Sequence, residues 1–312
     1  MKNNHFYQSL TKTFQRLSRF SHLSSIASWD MFTMMPPGGS AARGEALAEM
    51  SVLQHQILTD KKVGEWLAAA ADEDLNDVEQ ANLREMTRHY QQATLLPESL
   101  VEAKSLAGSR CEHAWRTQRP ANDWQGFSAN LKEVVKLSRE EARLRAEAKG
   151  CTPYDALLDI FEPDMTSARL DVLFGDLKSW LPELLAKVVE KQAQRSFVPP
   201  QGPFPTATQR ELGLEAMKML GFDFNGGRLD VSAHPFCGGV PEDVRITTRY
   251  DEDELLSALF GVIHETGHAR YEQNLPRAWA GQPVALARST AIHESQSLFF
   301  EMQLGRSVRR TA

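Results

Sequence analysis

Apolar residues recur along the first part of the chain at steps of three and four, which is the spacing of one face of an α-helix. They are Phe6, Leu10, Phe14, Leu17, Phe20 and Leu23. Similar patterns predict further helices at about 41–58, 77–93, 98–117, 124–148, 166–195 and 206–220. Such helices bury their apolar faces by packing on one another, so the sequence predicts a mostly α-helical fold.

Composition and charge exclude several classes of protein. Lys and Arg number 35 against 41 Asp and Glu, and the net charge of −6 argues against binding nucleic acid or an anionic membrane through overall charge. No apolar run approaches the roughly 18 residues of a membrane span, and the N-terminal residues lack the apolar core of a secretory signal. The three cysteines are too widely spaced for a CxxC metal site. We therefore expect a cytoplasmic protein with reduced thiols.

The pattern changes at about residue 225. Asn225 begins an Asn-Gly-Gly turn signal, and we expect 234–239, with its Pro and two Gly residues, to be irregular. Apolar and polar residues alternate over 243–250, which predicts a β-strand with one polar face. The acidic residues 251–254 favour the first turn of a helix, where the helix dipole stabilises negative charge.

We expect a single domain over 1–312, helical in 1–224, with a strand and two metal-site helices in 225–312. The second of these helices, at about 285–304, is apolar on more than one side. A helix of this kind needs neighbours to bury it, so we expect an exposed apolar patch and self-association where such neighbours are lacking.

The most informative motif is His264-Glu-Thr-Gly-His268. Histidines four residues apart project from one helix face, so both imidazoles can reach one metal ion. Zinc lowers the pKa of its water to near 7, and Glu265 lies where it can take the water proton. The alternative is a surface helix with two solvated histidines. The apolar residues just before the motif argue against it, because buried histidines need partners.

A catalytic zinc site needs a third protein ligand. Glu272 is four residues beyond His268, but the helix has advanced a further turn there and the site would be strained. His293 and Glu294 follow after enough chain for a loop and an antiparallel return helix. Either residue of this pair could face the metal, and Glu294 is the ligand we favour. Without the upstream motif, His293 and Glu294 would be interpreted as a solvent-exposed pair or as a pair that caps a helix.

Two other polar residues are candidates for binding a substrate. Arg245 lies on the polar face of the predicted strand, and its guanidinium suits a carboxylate. An ion pair with Asp243 or Asp251 is an equally good interpretation of Arg245. His234, which precedes a Pro-Phe pair, is either a structural histidine or a functional one.

Several motifs together carry a family resemblance. They are His234-Pro-Phe236, Asp243-Val-Arg-Ile-Thr247, His264-Glu-Thr-Gly-His268 and His293-Glu-Ser-Gln296, preceded by agreeing stretches at 29–43 and 154–166. In this order they resemble the carboxypeptidase Taq family of metallocarboxypeptidases, over about residues 5–307. Several independent motifs at compatible spacing make this resemblance far more specific than the histidine motif alone.

The resemblance implies a helical fold with a deep groove, a small sheet beside the motif helix, and a homodimer. It also implies one zinc or cobalt ion and the removal of C-terminal residues from peptides with a free C-terminus. By motif position, His264, His268 and Glu294 are expected to bind the metal, and Glu265 to act as general base and acid. His234, Arg245 and Thr247 are candidate substrate-binding residues.

The chain departs from the family in one respect. Members carry two later motifs, Ile-Arg-x-x-Ala-Asp and Gly-x-x-Gln-Asp-x-His-Trp, and neither occurs here. The resemblance implies that this missing part supplies an arginine for the substrate carboxylate, so we expect an incomplete domain with low activity or none. Two other functions remain open, a zinc endopeptidase or oligopeptidase with the same site, and a non-catalytic remnant that binds metal.

Overall fold

The structure is a computed structural model that describes residues 4–196 and 198–307. The first helices, α1 to α6, are His5–Thr33, Ser40–Thr59, Lys61–Ala70, Asp77–Thr94, Glu98–Gln118 and Trp124–Lys149. Helices α7 to α11 are Pro153–Phe161, Ser167–Ala193, Thr206–Met219, Leu255–Gln273 and Thr290–Leu298. Strands β1 to β3 are Gly227–Val231, Cys237–Val240 and Asp243–Thr248. The predicted fold class, mostly α-helical with a small sheet, is confirmed.

The six helices predicted between residues 41 and 220 are present, with ends displaced by at most two residues. Two short helices, α3 and α7, were not predicted. The Asp60 side chain caps α3 by accepting a hydrogen bond from the Lys62 backbone N–H at 2.9 Å. Thr152 caps α7 in the same way, and Pro153 occupies its first position. Their capping residues mark both helices in the sequence, although each is too short for a clear apolar period.

The predicted apolar stripe of α1 is buried only in its middle. Leu10, Phe14 and Leu17 are buried, whereas Leu23 is 60% exposed. These three side chains and Tyr7 pack with residues from α3, α4 and the loop between them. The resulting core contains Tyr7, Leu10, Phe14, Leu17, Val63, Leu67, Ala70, Leu75 and Met86. This core holds the N-terminal helices together.

The three strands form one sheet in the order β1-β3-β2, with β1 parallel and β2 antiparallel to β3. The expectation that 234–239 is irregular is wrong for its last residues, because Cys237–Val240 pairs with β3. Gly239 permits the tight turn that follows β2. Its φ is +92°, and a Cβ there would lie 2.0 Å from the Asp243 carbonyl oxygen.

Helix α10 packs against this sheet. Val244 and Ile246 of β3 share a core with Val262 and Ala269 of α10, and Met217 of α9 joins it. The helix begins at Leu255, so the acidic residues 251–254 precede it and do not form its first turn as predicted. This core fixes the helix that carries the histidine motif.

The last predicted helix, at about 285–304, is partly wrong. Pro283–Ala285 is a 3-10 turn, α11 begins only at Thr290, and Phe299–Gly305 is π-helical. Four of its large apolar residues, Leu286, Ile292, Phe299 and Met302, are exposed. Within the described part of the chain, no helix combines the length and apolar character that crossing a bilayer requires.

Candidate metal centre

Helices α10 and α11 bring His264, His268 and Glu294 together. Nitrogen and oxygen atoms of the three side chains lie within 4.8 Å of one another. The Nε2 atom of His264 is 3.6 Å from one Glu294 carboxylate oxygen, and Nε2 of His268 is 3.2 Å from the other. Two imidazoles and a carboxylate converge on one point, which is the donor set typical of a zinc site with open positions.

A glycine in the motif allows the two helices to approach. A Cβ at Gly267 would lie 2.6 Å from the Ser297 Cα and 2.8 Å from the Gln296 carbonyl oxygen. Only a residue without a side chain fits there, so α11 can cross α10 closely enough for Glu294 to reach both histidines. Ser297 is fully buried in this contact.

Hydrogen bonds outside this group determine which nitrogen of His268 carries a proton. The Nε2 atom of His293 lies 2.7 Å from a Glu272 carboxylate oxygen, and Nδ1 of His293 lies 2.6 Å from Nδ1 of His268. In the tautomer of His293 that donates Nε2–H to this carboxylate, Nδ1 of His293 accepts a hydrogen bond from Nδ1–H of His268. The free lone pair of His268 is then on Nε2, directed at Glu294.

His264 is oriented in the same way. Its Nδ1 atom lies 3.1 Å from a Glu301 carboxylate oxygen, and Arg306 donates to the other oxygen of Glu301 at 2.6 Å. Nδ1–H of His264 therefore donates to Glu301, and its lone pair on Nε2 also faces Glu294. Burial is the main cause that lowers the pKa of His268 to about 4, so that imidazole is neutral at pH 7.

Sequence reasoning did not assign these outer partners. His293, the alternative ligand, instead binds His268 and Glu272, and Glu301 and Arg306 belong to no motif that the sequence offers. The four-residue step from His268 to Glu272 places both side chains on one face of α10, and this spacing indicates that Glu272 lies near the site. Glu301 lies in the π-helical segment, where α-helical spacing does not predict which way a side chain points.

Glu265 lies in the same cleft as His268 and Glu294 and is only 7% exposed. Burial, followed by the negative charge of Glu294, raises the pKa of Glu265 to about 7. A carboxyl group with a pKa near neutrality can both take up and release a proton at physiological pH. Its position and its pKa suit the predicted role of general base and acid.

The cleft around these residues has a volume of about 540 Å³. Ile160 and Phe161 at the end of α7 form one wall, and His234 to Cys237 form another. Residues 287–290, which lead into the first turn of α11, close a third side. His234, a predicted substrate-binding residue, therefore lines the same cleft as His268 and Glu294, two of the predicted metal ligands.

Arg245 and Thr247 are not among the residues that line this cleft. Arg245 forms a two-pronged ion pair with Asp243, with both N–O distances at 2.9 Å, and its guanidinium stacks 4.3 Å from the centre of the Trp29 ring. The ion pair with Asp243 is one of the alternatives that the sequence left open. Thr247 is fully buried, and its hydroxyl accepts a hydrogen bond from the Phe236 backbone N–H at 3.0 Å. It thereby holds the loop that carries His234.

A helical fold, a His-Glu-x-x-His helix and a carboxylate from a second helix are the features of a metallopeptidase. A family model described as Carboxypeptidase Taq (M32) metallopeptidase matches residues 9–310. The chain belongs to this family. It is similar to thermostable carboxypeptidase 1 of Thermus thermophilus, with 38% identity over 97% of this chain and 62% of that protein. Carboxypeptidase 1 of Bacillus subtilis is 35% identical over 94% of this chain and 59% of that protein.

Solved structures agree with this assignment. Metallocarboxypeptidase 1 of Trypanosoma cruzi superimposes with a TM-score of 0.88 and 49% identity, over 98% of this chain and 62% of that one. The M32 carboxypeptidase of Deinococcus radiodurans R1 gives a TM-score of 0.82 and 30% identity, over 97% and 61%. The chain thus spans about three fifths of the length of the relatives that it matches.

Proposed function

We propose that this chain acts as a metal-dependent carboxypeptidase, which hydrolyses the last peptide bond of peptides with a free C-terminus. The observation that carries the proposal is the meeting of His264, His268 and Glu294 in one cleft with the buried acid Glu265. The family model and the names of the relatives support the choice of a carboxypeptidase.

The residues present fit a divalent metal. His264 and His268 direct unprotonated nitrogens at the carboxylate of Glu294, and each histidine is held by an acceptor on its other side. Two imidazoles and one carboxylate suit zinc, with cobalt as the alternative. A metal ion bound there supplies a Lewis acid that polarises a carbonyl group and acidifies water.

Glu265 moves the protons of the reaction. As a carboxylate it takes a proton from the attacking water, and the protonated acid then delivers that proton to the leaving amine. Its raised pKa favours both steps near neutral pH. Ile160 and Phe161 give one side of the cleft an apolar wall.

A pair of peptides tests the position of cleavage. One has a free C-terminus, and the other has the same sequence with a C-terminal amide. With zinc present, the carboxypeptidase proposal expects release of a single amino acid from the free peptide only. Internal cleavage of both peptides would favour an endopeptidase or oligopeptidase. Zinc binding without cleavage of either peptide would favour the non-catalytic remnant.

A cytoplasmic location and a homodimer are further parts of the proposal. Cys111, Cys151 and Cys237 are all free thiols, as is usual in a reducing compartment. The homodimer rests on the family resemblance, and analytical ultracentrifugation would measure it directly.

A further inference from the structure

Glu162, just beyond the C-terminal end of α7, binds the N-terminal end of α11. Both of its carboxylate oxygens accept a hydrogen bond from the Ser289 hydroxyl at 2.8 Å, and one accepts from the Ala291 backbone N–H at 2.9 Å. Ser289 is in turn the N-cap of α11, where its hydroxyl accepts from the Ile292 backbone N–H at 3.1 Å. One carboxylate from a distant part of the chain thus completes the start of this helix.

Helix α11 needs such support. It has nine residues and continues directly into the π-helical segment Phe299–Gly305, and a helix this short is marginal without tertiary contacts. It carries both Glu294 and His293, and Glu294 is only about one turn from the N-terminus. Fraying or rotation of the first turn would therefore move a predicted ligand. The negative charge of Glu162 also lies where the helix dipole favours it.

The chain on both sides of this contact is anchored to other helices. Asp159, one turn earlier in α7, forms ion pairs with Lys149 of α6 and Arg88 of α4. Next to the cap, Arg288 pairs with Glu85 of α4 at 2.8 Å. The start of α11 is in this way fixed to the helices that precede the sheet.

We infer that Glu162 is a positioning residue for the metal centre, which fixes the first turn of α11 and so sets the approach of Glu294 to the two histidines. The inference rests on the metal centre of the proposed function. It assigns to Glu162 an effect on metal affinity that is separate from its contribution to stability.

Helix α7, which precedes Glu162, contains a matched control. Asp155 of α7 binds the first residue of α8, Ser167, and accepts from its backbone N–H at 2.7 Å and its hydroxyl at 2.6 Å. The chemistry is the same as at Glu162, a carboxylate that holds a serine at a helix start. Helix α8 carries none of the candidate metal ligands.

The experiment compares the zinc affinity of Glu162→Ala, Asp155→Ala and Glu294→Gln with that of the parent chain, by competition with a chromophoric chelator. Thermal unfolding of the metal-free proteins is measured in parallel. We expect both alanine variants to lower the Tm, but only Glu162→Ala to raise the zinc Kd, by roughly 10- to 100-fold. If an alanine variant does not fold, Glu162→Gln and Asp155→Asn make the same comparison with the side-chain size retained.

The Glu294→Gln variant tests the metal centre separately from the positioning role of Glu162. If it weakens zinc binding while Glu162→Ala binds zinc like the parent, the role of Glu162 is overturned and the metal centre stands. If Glu162→Ala and Asp155→Ala raise the Kd equally, Glu162 contributes only general stability and the inference is also wrong. If Glu294→Gln binds zinc as tightly as the parent, the metal centre and the inference both fail.

Discussion

At the scale of single residues, Glu265 is the side chain on which the chemistry depends. Changing it to Gln keeps its size but removes the base, so we expect peptidase activity to fall by roughly 10² or more. Zinc affinity should persist, because the predicted ligands are His264, His268 and Glu294. Steady-state hydrolysis of a free-C-terminus peptide and zinc titration measure the two quantities.

An exposed acid provides the control for this substitution. Glu215 of α9 lies on the surface, and we expect Glu215→Gln to match the parent in both measurements. Equal activity in the parent and in Glu265→Gln would show that the base is another group.

The sequence predicted the centre of the site but not its surroundings. His264 and His268 follow a spacing that one helix dictates, and Glu294 required only a second helix that returns. Glu301 and Glu162 were not predicted, because one reaches His264 from a π-helical segment and the other reaches α11 from a different part of the fold. Side-chain contacts of this kind depend on tertiary packing, which a single sequence does not display.

At the scale of the elements, the crossing of α10 and α11 depends on Gly267. An added methyl group at this position meets the backbone of Ser297, so Gly267→Ala should cost about 1–3 kcal/mol of stability, the usual range for overpacking. It should also weaken zinc binding, because it separates the two helices that carry the predicted ligands.

Gly108 of α5 is the matched control, since a Cβ there meets nothing within 4 Å. Alanine in this helix interior should leave stability unchanged or raise it by up to about 1 kcal/mol. Chemical denaturation of both variants measures the difference. A Gly267→Ala protein as stable as Gly108→Ala would contradict the close helix crossing.

Helix α7 is joined to α4 and α6 by Asp159, and this contact should depend on pH. Burial alone would raise the pKa of Asp159, but hydrogen bonds from Lys149 and the Asp164 N–H, with the charges of Lys149 and Arg88, lower it. A lowered pKa means that the contact stabilises the fold above the ordinary Asp pKa near 3.9, and that this stabilisation is lost as the pH falls through the folded-state value.

Asp159→Asn should therefore lower the free energy of unfolding at pH 7 by about 1.5–3 kcal/mol, the range for a hydrogen bond to a charged group. The difference from the parent should shrink as the pH falls below about 5. Urea denaturation between neutral and acidic pH measures it, with the exposed Asp176→Asn on α8 as control. A constant difference at all pH values would show that the charge of Asp159 is not involved.

Helix positions were more predictable than strands. Helices α2 and α6 have long, regular patterns, and their predicted ends differ from the observed ones by at most one residue. Strands β1 and β2 have five and four residues, and β2 consists of Cys237, two glycines and Val240. Their pairing with β3 depends on tertiary contacts that a short sequence window does not contain.

At the scale of the whole molecule, α8 differs from the other long helices because none of its described side chains is buried. Its large exposed apolar residues are Val172, Leu173, Phe174, Trp180, Leu181, Leu184, Leu185, Val188 and Val189. An apolar surface of this kind favours association. We therefore expect the 312-residue chain to self-associate with increasing concentration.

Sedimentation equilibrium tests this expectation with a double variant, Leu184→Lys with Val188→Lys, which places two charges one turn apart on α8. The variant should fold like the parent, because both side chains are exposed, but should sediment as a monomer over a wider concentration range. A parent chain that stays monomeric at every concentration would contradict the expectation.

The metal centre is the central claim, and anomalous X-ray scattering from crystals of the zinc-loaded chain tests it most directly. Data collected above and below the zinc absorption edge locate the ion without reference to the protein. We expect one zinc peak, about 2.0–2.2 Å from a nitrogen of His264, a nitrogen of His268 and a carboxylate oxygen of Glu294. A zinc ion bound elsewhere, or Glu294 turned away from an ion held by the two histidines, would contradict it.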